Sequence, residues 1–331
     1  MKHQWSITRI CRGGTLCLAV FLAGAGLSLA QRTGELPLTP TTDGLYLANA
    51  RVAGQEGAFV LDTGAEVTAL EPAFAARARL ETSTSSRRII GLTQVEDAGV
   101  ASVDIDAGPI RRTASDAAIL REALPYPAEA DGLLGLSALL PDDAAIVEID
   151  FRDHAFRFHT AETAPEPNFE SAWLDLQPSP NNLSVWLAPV ELDRVGGAAL
   201  IDTGVPFLVM NEAYERVLKA KGRLEPIEIT GFDENADRPE VVRIERLKLG
   251  SVVWKNVPVY VLESPAFAAL GRKDEPTLIL GASAFKDMKM VIDIKEGRFV
   301  AAPPEYFDED RRACTGSRIS CAGNVTRMTR S

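Results

Sequence analysis

Histidine and cysteine are scarce in this sequence, which has three of the former and four of the latter among 331 residues. No His-Glu-x-x-His sequence occurs, so the chain lacks a motif with which metalloproteases bind catalytic zinc. Gly135-Leu136-Ser137-Ala138 lacks the second glycine of the nucleophile elbow found in serine hydrolases. The sequence therefore contains neither of these motifs for zinc-dependent or serine-nucleophile catalysis.

Basic residues are also under-represented, with 35 Lys and Arg against 46 Asp and Glu and a net charge of -11. Binding to phosphates requires a basic surface, so a nucleic-acid partner is not expected. Asp233-x-Asn235-x-Asp237 has the spacing of a calcium loop, but Arg238 replaces its required glycine and Ile244 its required glutamate. The sequence therefore predicts no metal site, and this segment is interpreted as a solvated turn.

One apolar run, residues 15–30, follows a basic N-terminus but is short for a membrane-spanning helix. Ser28-Leu29-Ala30 places small residues at the -3 and -1 positions of a signal-peptide cleavage site, which predicts cleavage before Gln31. The expected mature protein is exported to the periplasm or secreted, with no stable membrane insertion. An uncleaved anchor is the alternative.

Two of the four cysteines, Cys11 and Cys17, lie within the predicted signal peptide. Cys314 and Cys321 remain, both in a polar C-terminal tail. An even pair in an exported protein predicts a disulfide that closes a short loop. The alternative is two free thiols, and in either case no catalytic role is expected for them.

The sequence does contain Asp-Thr-Gly twice, each time after an apolar run. Ala58-Phe59-Val60-Leu61 leads into Asp62-Thr63-Gly64, and Ala198-Ala199-Leu200-Ile201 leads into Asp202-Thr203-Gly204. An arrangement of this kind can bring two carboxylates together at a pseudo-twofold axis. Two carboxylates in contact cannot both ionise cheaply, so they share one proton and act as an acid and a base.

The two triplets belong to a longer internal repeat. A shift of 140 residues aligns residues 45–92 with the second half without a gap, and it superimposes Gly57 on Gly197. Residues 132–138 later correspond to 278–284. The duplication predicts two similar lobes, and both lie in one chain, so we expect a monomer. The predicted organisation is a signal peptide at 1–30, lobes at 31–160 and 179–303, a linker at 161–178 and a polar tail at 304–331.

Local patterns predict a strand-rich protein with short helices. Strands are expected at residues 147–151, 241–249 and 257–262, where the sequence alternates or runs apolar at strand length. Helices are expected at residues 72–80 and 212–221, and short ones after Gly135 and Gly281. The fold class is therefore predicted to be mainly all-β.

These residues resemble the aspartic peptidases of the pepsin and retropepsin clan, in which each lobe supplies Asp-Thr/Ser-Gly and later two apolar residues followed by glycine. Leu133-Leu134-Gly135 and Ile279-Leu280-Gly281 have that later pattern. The chain is similar to the single-chain, two-lobe retropepsin-like proteins of bacteria. The resemblance implies a bilobal acid-protease fold with two β-barrel-like lobes and a peptide or protein substrate in the cleft between them.

The resemblance also implies roles for the residues of each triplet. Asp62 and Asp202 are the expected catalytic residues of an endopeptidase, and Thr63 and Thr203 are expected to hydrogen-bond across the lobes. Gly64 and Gly204 permit the tight turn and the close approach of another group. Water is the nucleophile in this chemistry, so no cofactor is expected.

A flap that closes over the substrate is expected at residues 88–94, with Ile90, Gly91 and Leu92 at its tip. Residues 227–234, around Gly231, are its repeat partner. The segment lacks the usual Gly-Gly of retropepsin flaps and the flap tyrosine of pepsins. A plain exposed hairpin is the alternative.

A further departure concerns the residue after each triplet, although Ala65 suits the retropepsin pattern. Many family members have a serine or threonine there that bonds the catalytic carboxylate, whereas this chain has Ala65 and Val205. Missing hydroxyls predict higher carboxyl pKa values. Val205 with Pro206 is also an argument for a crowded loop, and it supports the rival hypothesis of a catalytically inactive peptide-binding module.

Overall fold

Strands dominate the computed structural model, which describes residues 35–123, 129–140, 146–159, 163–167, 173–181, 185–226 and 240–308. These residues all belong to one compact unit of the chain. The predicted signal peptide, the second flap around Gly231, and Cys314 and Cys321 lie outside the described residues.

The elements are numbered in chain order. The first half of the described chain contains β1 (Glu35–Pro40), β2 (Tyr46–Val52), β3 (Gln55–Asp62), β4 (Ala69–Leu70), α1 (Pro72–Arg77), β5 (Ser86–Ile90), β6 (Val95–Ala107), β7 (Ile110–Ile119), β8 (Gly132–Gly135), α2 (Leu136–Leu139), β9 (Ile146–Asp150) and β10 (Ala155–His159).

The remaining elements are three two-residue strands and then the helices and strands of the second half. These elements are β11 (Glu166–Pro167), β12 (Leu174–Asp175), β13 (Gln177–Pro178), β14 (Trp186–Leu192), β15 (Val195–Asp202), β16 (Val209–Met210), α3 (Glu212–Ala220), β17 (Glu225–Pro226), β18 (Glu240–Leu249), β19 (Val252–Val261), α4 (Pro265–Ala269), β20 (Thr277–Gly281), a 3₁₀ turn (Ala282–Phe285), β21 (Lys289–Asp293), β22 (Arg298–Ala302), a second 3₁₀ turn (Pro304–Tyr306) and β23 (Phe307–Asp308).

Each half closes into a six-stranded barrel. In the first lobe the order is β2-β3-β8-β4-β7-β6, and β6 pairs back onto β2. In the second it is β14-β15-β20-β16-β19-β18, and β18 pairs back onto β14. Closure removes the free sheet edges that would otherwise template association. The predicted all-β, bilobal fold with duplicated lobes is confirmed.

The predicted strands and helices are confirmed with shifted ends. The helix predicted at residues 72–80 is α1, which stops at Arg77, and the one predicted at 212–221 is α3. β19 begins at Val252 rather than at Val257. The difference arises because Lys255 and Asn256 interrupt the apolar pattern, and Asn256 has a left-handed φ of 56° within the strand.

An interlobe sheet of six strands, ordered β12-β22-β21-β9-β10-β1, joins the two lobes, and β1 also pairs with β2 of the first barrel. β9 of the first lobe pairs antiparallel with β21 of the second, which places Asp150 opposite Lys289. Within residues 161–178, β12 pairs with β22, β13 with β14, and β11 with β23.

Charged side chains are buried within this interlobe sheet. Lys289 is 1% exposed, and its Nζ lies 3.2 Å from Glu148 Oε1 and 3.6 Å from Asp150 Oδ2. Arg157 Nη1 donates to Glu148 Oε1 at 2.7 Å, and His159 Nε2 lies 2.7 Å from Glu148 Oε2. Buried charges are tolerated only when they are paired in this way.

The apolar run before each aspartate is buried on both faces. In β15, Ala199 and Ile201 face the main core, whereas Ala198 and Leu200 face a second apolar cluster. A strand covered on both faces reads as a continuous apolar segment rather than an alternating one. This double burial holds the end of the strand, and therefore the aspartate that follows, in a fixed position.

The helices of the described part of the chain are short, and none has the length and apolarity needed to cross a lipid bilayer.

Candidate active site

The two Asp-Thr-Gly loops lie at equivalent ends of β3 and β15. Asp62 pairs in parallel register with Gly135 of β8, and Asp202 pairs with Gly281 of β20. The Leu-Leu-Gly and Ile-Leu-Gly segments are therefore the strands beside the two loops. Each aspartate follows a strand that is hydrogen-bonded on both sides, and this fixes its direction.

Reciprocal hydrogen bonds between the two threonines tie the loops together. Thr63 Oγ1 donates to the carbonyl of Ile201 at 2.7 Å and accepts from the amide of Thr203 at 3.1 Å. Thr203 Oγ1 donates to the carbonyl of Leu61 at 2.6 Å and accepts from the amide of Thr63 at 3.0 Å. Four buried bonds in a symmetric network make the relative position of the two loops rigid.

The glycine of each triplet provides space for the carboxylate of the other lobe. A Cβ atom on Gly64 would lie 2.6 Å from Asp202 Cγ, and one on Gly204 would lie 2.4 Å from Asp62 Oδ2. Side chains do not tolerate such distances, so any substitution would displace a carboxylate. Each aspartate thus packs against the loop that carries the other.

The carboxylates are held in a setting that disfavours two negative charges. Asp62 is 6% exposed and accepts from the Gly64 amide at 2.8 Å, and Asp202 accepts from the Gly204 amide at 2.9 Å. Burial raises the pKa of Asp62 to about 6, although the amides of Gly64 and Ala65 and a hydrogen bond from Asp202 oppose the rise. Burial and the charge of Asp62 raise the pKa of Asp202 well above its usual range. The pair therefore retains one proton and titrates as a unit.

A cavity of about 1240 Å³ surrounds the two carboxylates. This is larger than the roughly 300–1,000 Å³ that is typical of small-molecule sites. The second-lobe side is apolar and includes Phe207, whose ring centroid lies 4.4 Å from that of Tyr260. The first-lobe side carries charged side chains as well as apolar ones, namely Asp43, Glu66, Arg87 and Arg88.

A family model described as "Aspartyl protease" matches the chain twice, at residues 48–138 and 188–284. The chain belongs to the aspartyl protease family. The two matches cover more than half of the chain, and each contains one Asp-Thr-Gly triplet and one barrel. The resemblance drawn from the sequence is confirmed. Comparison with curated proteins gives no match.

Val205 and Pro206 do not disturb the second loop of this aspartyl protease. Val205 is 9% exposed and packs in the second apolar cluster with Leu200 and Phe267. The amide bond to Asp202 is 2.9 Å, against 2.8 Å for the equivalent bond in the first lobe. The amide of Val205 also favours the ionised form of Asp202. The crowding expected from the sequence is not found.

The segment predicted to be a flap forms the hairpin of β5 and β6, and its tip lies at the cavity. Its turn is closed by the Gly91 amide, which donates to the carbonyl of Gln94 at 2.9 Å. Ile90, Gly91 and Leu92 all line the cavity. Leu92 also packs against the second apolar cluster, so the tip reaches the other lobe.

Sequence reasoning missed Phe207 and Tyr260, which line the cleft, and Ser264, which bonds the tip of the β5–β6 hairpin. Ser264 followed by Pro265 is a recognisable helix start, and its side chain does cap α4. The same hydroxyl also bonds the flap, 172 residues earlier in the chain, and no local sequence signal could have indicated this.

Two further buried aspartates have structural positions. Asp150 Oδ1 accepts from the amides of Arg152 and Asp153, which closes the turn between β9 and β10. Asp293 accepts from the Glu296 amide and from the Arg298 guanidinium in the equivalent turn. Both aspartates therefore stabilise turns at the ends of strands. Among the described residues no His, Cys, Asp and Glu side chains are grouped so as to hold a metal ion.

Proposed function

We propose that the protein is an exported aspartic endopeptidase in which Asp62 and Asp202 activate the water that hydrolyses a peptide bond. The observation that carries the proposal is the contact between the two loops, where each carboxylate lies against the glycine of the other triplet. Burial raises the pKa of both aspartates, which is the condition for sharing a proton.

The shared proton supports a simple mechanism. The ionised carboxylate takes a proton from a water molecule placed between the two aspartates, and the neutral carboxyl donates toward the oxygen of the scissile carbonyl. The water oxygen attacks the carbonyl carbon and gives a tetrahedral gem-diol. Transfer of a proton to the amide nitrogen then releases the amine and the new carboxyl group. Every proton in the scheme comes from the water or the dyad.

The size and lining of the cavity support a peptide substrate. An extended peptide would run between the flap and the dyad, with its scissile carbonyl at the carboxylates. Apolar walls that include Leu200, Phe207 and Tyr260 favour large apolar side chains next to the scissile bond. Binding under the hairpin would exclude bulk water from the reacting groups.

Export is proposed from the N-terminal sequence alone, with its basic start and its apolar run before Ser28-Leu29-Ala30. The expected N-terminus of the exported protein is Gln31. N-terminal sequencing of protein recovered from outside the cytoplasm tests this, and retention of Met1 would indicate an anchored form instead.

Cleavage of a peptide library by the purified protein, with and without a statine-type inhibitor, tests the proposed activity. Turnover that the inhibitor blocks is the expected result. Peptide binding without turnover would instead support the rival hypothesis, a peptide-binding module that uses the same cleft.

A further inference from the structure

Helix α4 (Pro265–Ala269) of the second lobe forms a fixed platform beside the mouth of the cleft. Phe267 is 1% exposed and anchors the helix in the second apolar cluster. The Asn181 side chain donates to the carbonyls of Ala268 and Ala269, and Ser179 Oγ donates to the carbonyl of Leu270 at 3.2 Å. The helix is therefore held at its C-terminal end by side chains of its own lobe.

The N-terminal end of α4 is bound to the flap of the first lobe. Ser264 Oγ accepts from the Ala266 amide at 3.1 Å and thereby caps the helix. The same hydroxyl donates to the carbonyl of Leu92 at the flap tip, at 2.5 Å. Ser264 is 5% exposed, so little water competes for this bond.

An apolar contact reinforces the hydrogen bond. The Leu92 side chain packs on the second apolar cluster, which contains Phe267 of α4 and Leu200 of β15. The tip thus has one polar and one apolar attachment to the second lobe. Both attachments must break before the hairpin can rise and admit a peptide to the dyad.

We propose that Ser264 is a positioning residue that latches the flap of the first lobe onto the second lobe, and that this latch holds a bound peptide in the cleft. The peptide occupies the cavity between the flap and the dyad, and the Ser264–Leu92 bond closes above it. The role in holding a peptide rests on the proposed peptide-cleaving function, whereas the contact itself can be tested without that function.

Hydrogen exchange followed by mass spectrometry measures the opening of the hairpin without any need for activity. Ser264→Asp keeps an oxygen that can cap α4 but removes the donor to Leu92. One lost hydrogen bond corresponds to roughly a 5–10-fold larger open population. Exchange in peptides that cover β5 and β6 should therefore accelerate by about that factor in Ser264→Asp. Ser264→Thr, which retains a hydroxyl, should exchange like the wild type.

Ser179→Ala is the matched control, because it removes a buried hydroxyl that bonds a backbone carbonyl at the other end of the same helix. It should leave exchange in the hairpin unchanged. Leu92→Ala, which keeps the backbone carbonyl but removes the apolar contact, should accelerate hairpin exchange if Ser264→Asp fails to fold. Equal hairpin exchange in wild type, Ser264→Asp and Leu92→Ala would overturn the latch.

The dissociation rate of a statine-type inhibitor supplies the functional measurement. The latch predicts a rise of about 5–10-fold in this rate for Ser264→Asp, recovery in Ser264→Thr and no change in Ser179→Ala. An unchanged rate would refute a role in holding the ligand. If hairpin exchange responds but neither cleavage nor inhibitor binding occurs in the wild type, the latch stands and the proposed function fails.

Discussion

Carboxylates are buried at two of the places where the lobes meet, with opposite consequences. At the cleft, Asp62 and Asp202 lie against each other, and burial raises the pKa of both. In the interlobe sheet, burial alone would raise the pKa of Glu148. The hydrogen bond to His159 and the charges of Lys289, His159 and Arg157 outweigh it and lower that pKa to about 2.

Burial does not by itself make a carboxylate reactive. Glu148 is 3% exposed and Asp62 is 6% exposed, so both carboxylates are largely removed from water. What differs is the nearest charged group: a cation at the sheet and a second carboxylate at the cleft. A buried carboxylate with a cation partner can stabilise a junction. Two buried carboxyl groups that face each other without a cation can instead exchange protons at mild pH.

Removing either acid of the cleft should have the largest effect. Asp62→Asn and Asp202→Asn should each lower kcat for peptide cleavage by at least about 10³-fold, because each removes half of one acid–base unit. The double variant should lose little more than either single one. Steady-state assays on one peptide measure all three, and near wild-type turnover in either single variant would refute the dyad.

These variants should stay folded, and their stability provides the control. A raised carboxyl pKa means that the folded state binds the proton more tightly, so stability is lost as pH rises through that pKa. The neutral asparagine does not ionise. Thermal unfolding at pH 7 should therefore show a Tm at or above that of the wild type.

Removing the cation of the interlobe sheet should lower the free energy of unfolding rather than the catalytic activity. Lys289→Met leaves Glu148 and Asp150 without their buried ammonium partner, which typically costs about 3–5 kcal/mol in the free energy of unfolding. Denaturant titration measures it, with exposed Lys295→Met as the control. A loss below about 1 kcal/mol would mean that the sheet does not depend on this charge.

The acid side of the stability profile should depend on Glu148. The pKa of Glu148 is about 2 in the folded protein and 4.5 as the reference value for the unfolded chain. Its contribution to the free energy of unfolding is therefore present above pH 4.5 and disappears as pH falls toward 2. Linkage makes this contribution about 3 kcal/mol. Glu148→Gln should flatten the decline of unfolding free energy between pH 4.5 and 2. An equally steep decline in the variant would assign acid sensitivity to other groups.

The smallest effect is expected from a hydroxyl beside the cleft. Ala65→Ser adds a hydroxyl donor that can bond ionised Asp62, in addition to the amides of Gly64 and Ala65 that bond it now. Stabilising the carboxylate lowers its pKa. The acidic limb of the kcat/KM profile, expected near pH 6 in the wild type, should move down by less than about one pH unit. A limb that moves upward would contradict this reading.

Much of the cleft could be predicted from the sequence because its residues recur in a repeated local pattern. The two triplets, the later Leu-Leu-Gly and Ile-Leu-Gly segments, and the constant shift of 140 residues predict paired loops. The junction at the sheet gave no comparable signal. Glu148 and Lys289 read as ordinary charged positions of two separate strands, and only the pairing of β9 with β21 buries them together.

The hairpin of β5 and β6, predicted to be a flap, shows the same limit within a single element. Its place followed from the resemblance, but its contact with Ser264 depends on how the second lobe positions α4. Such contacts join residues far apart in the chain and leave no trace in local composition. For Val205 the sequence predicted crowding that the structure does not show. Its apolar side chain packs in a cluster that the sequence did not indicate.

A single carboxyl-¹³C NMR titration of the folded protein, with labelled Asp and Glu, compares the two sites most directly. We expect the carboxyl group whose resonance is absent in Asp62→Asn to titrate near pH 6 in the wild type. The carboxyl group whose resonance is absent in Glu148→Gln should already be ionised at pH 3. If both resonances instead titrate near pH 4, as those of exposed carboxyl groups do, the two sites do not have opposite electrostatic environments.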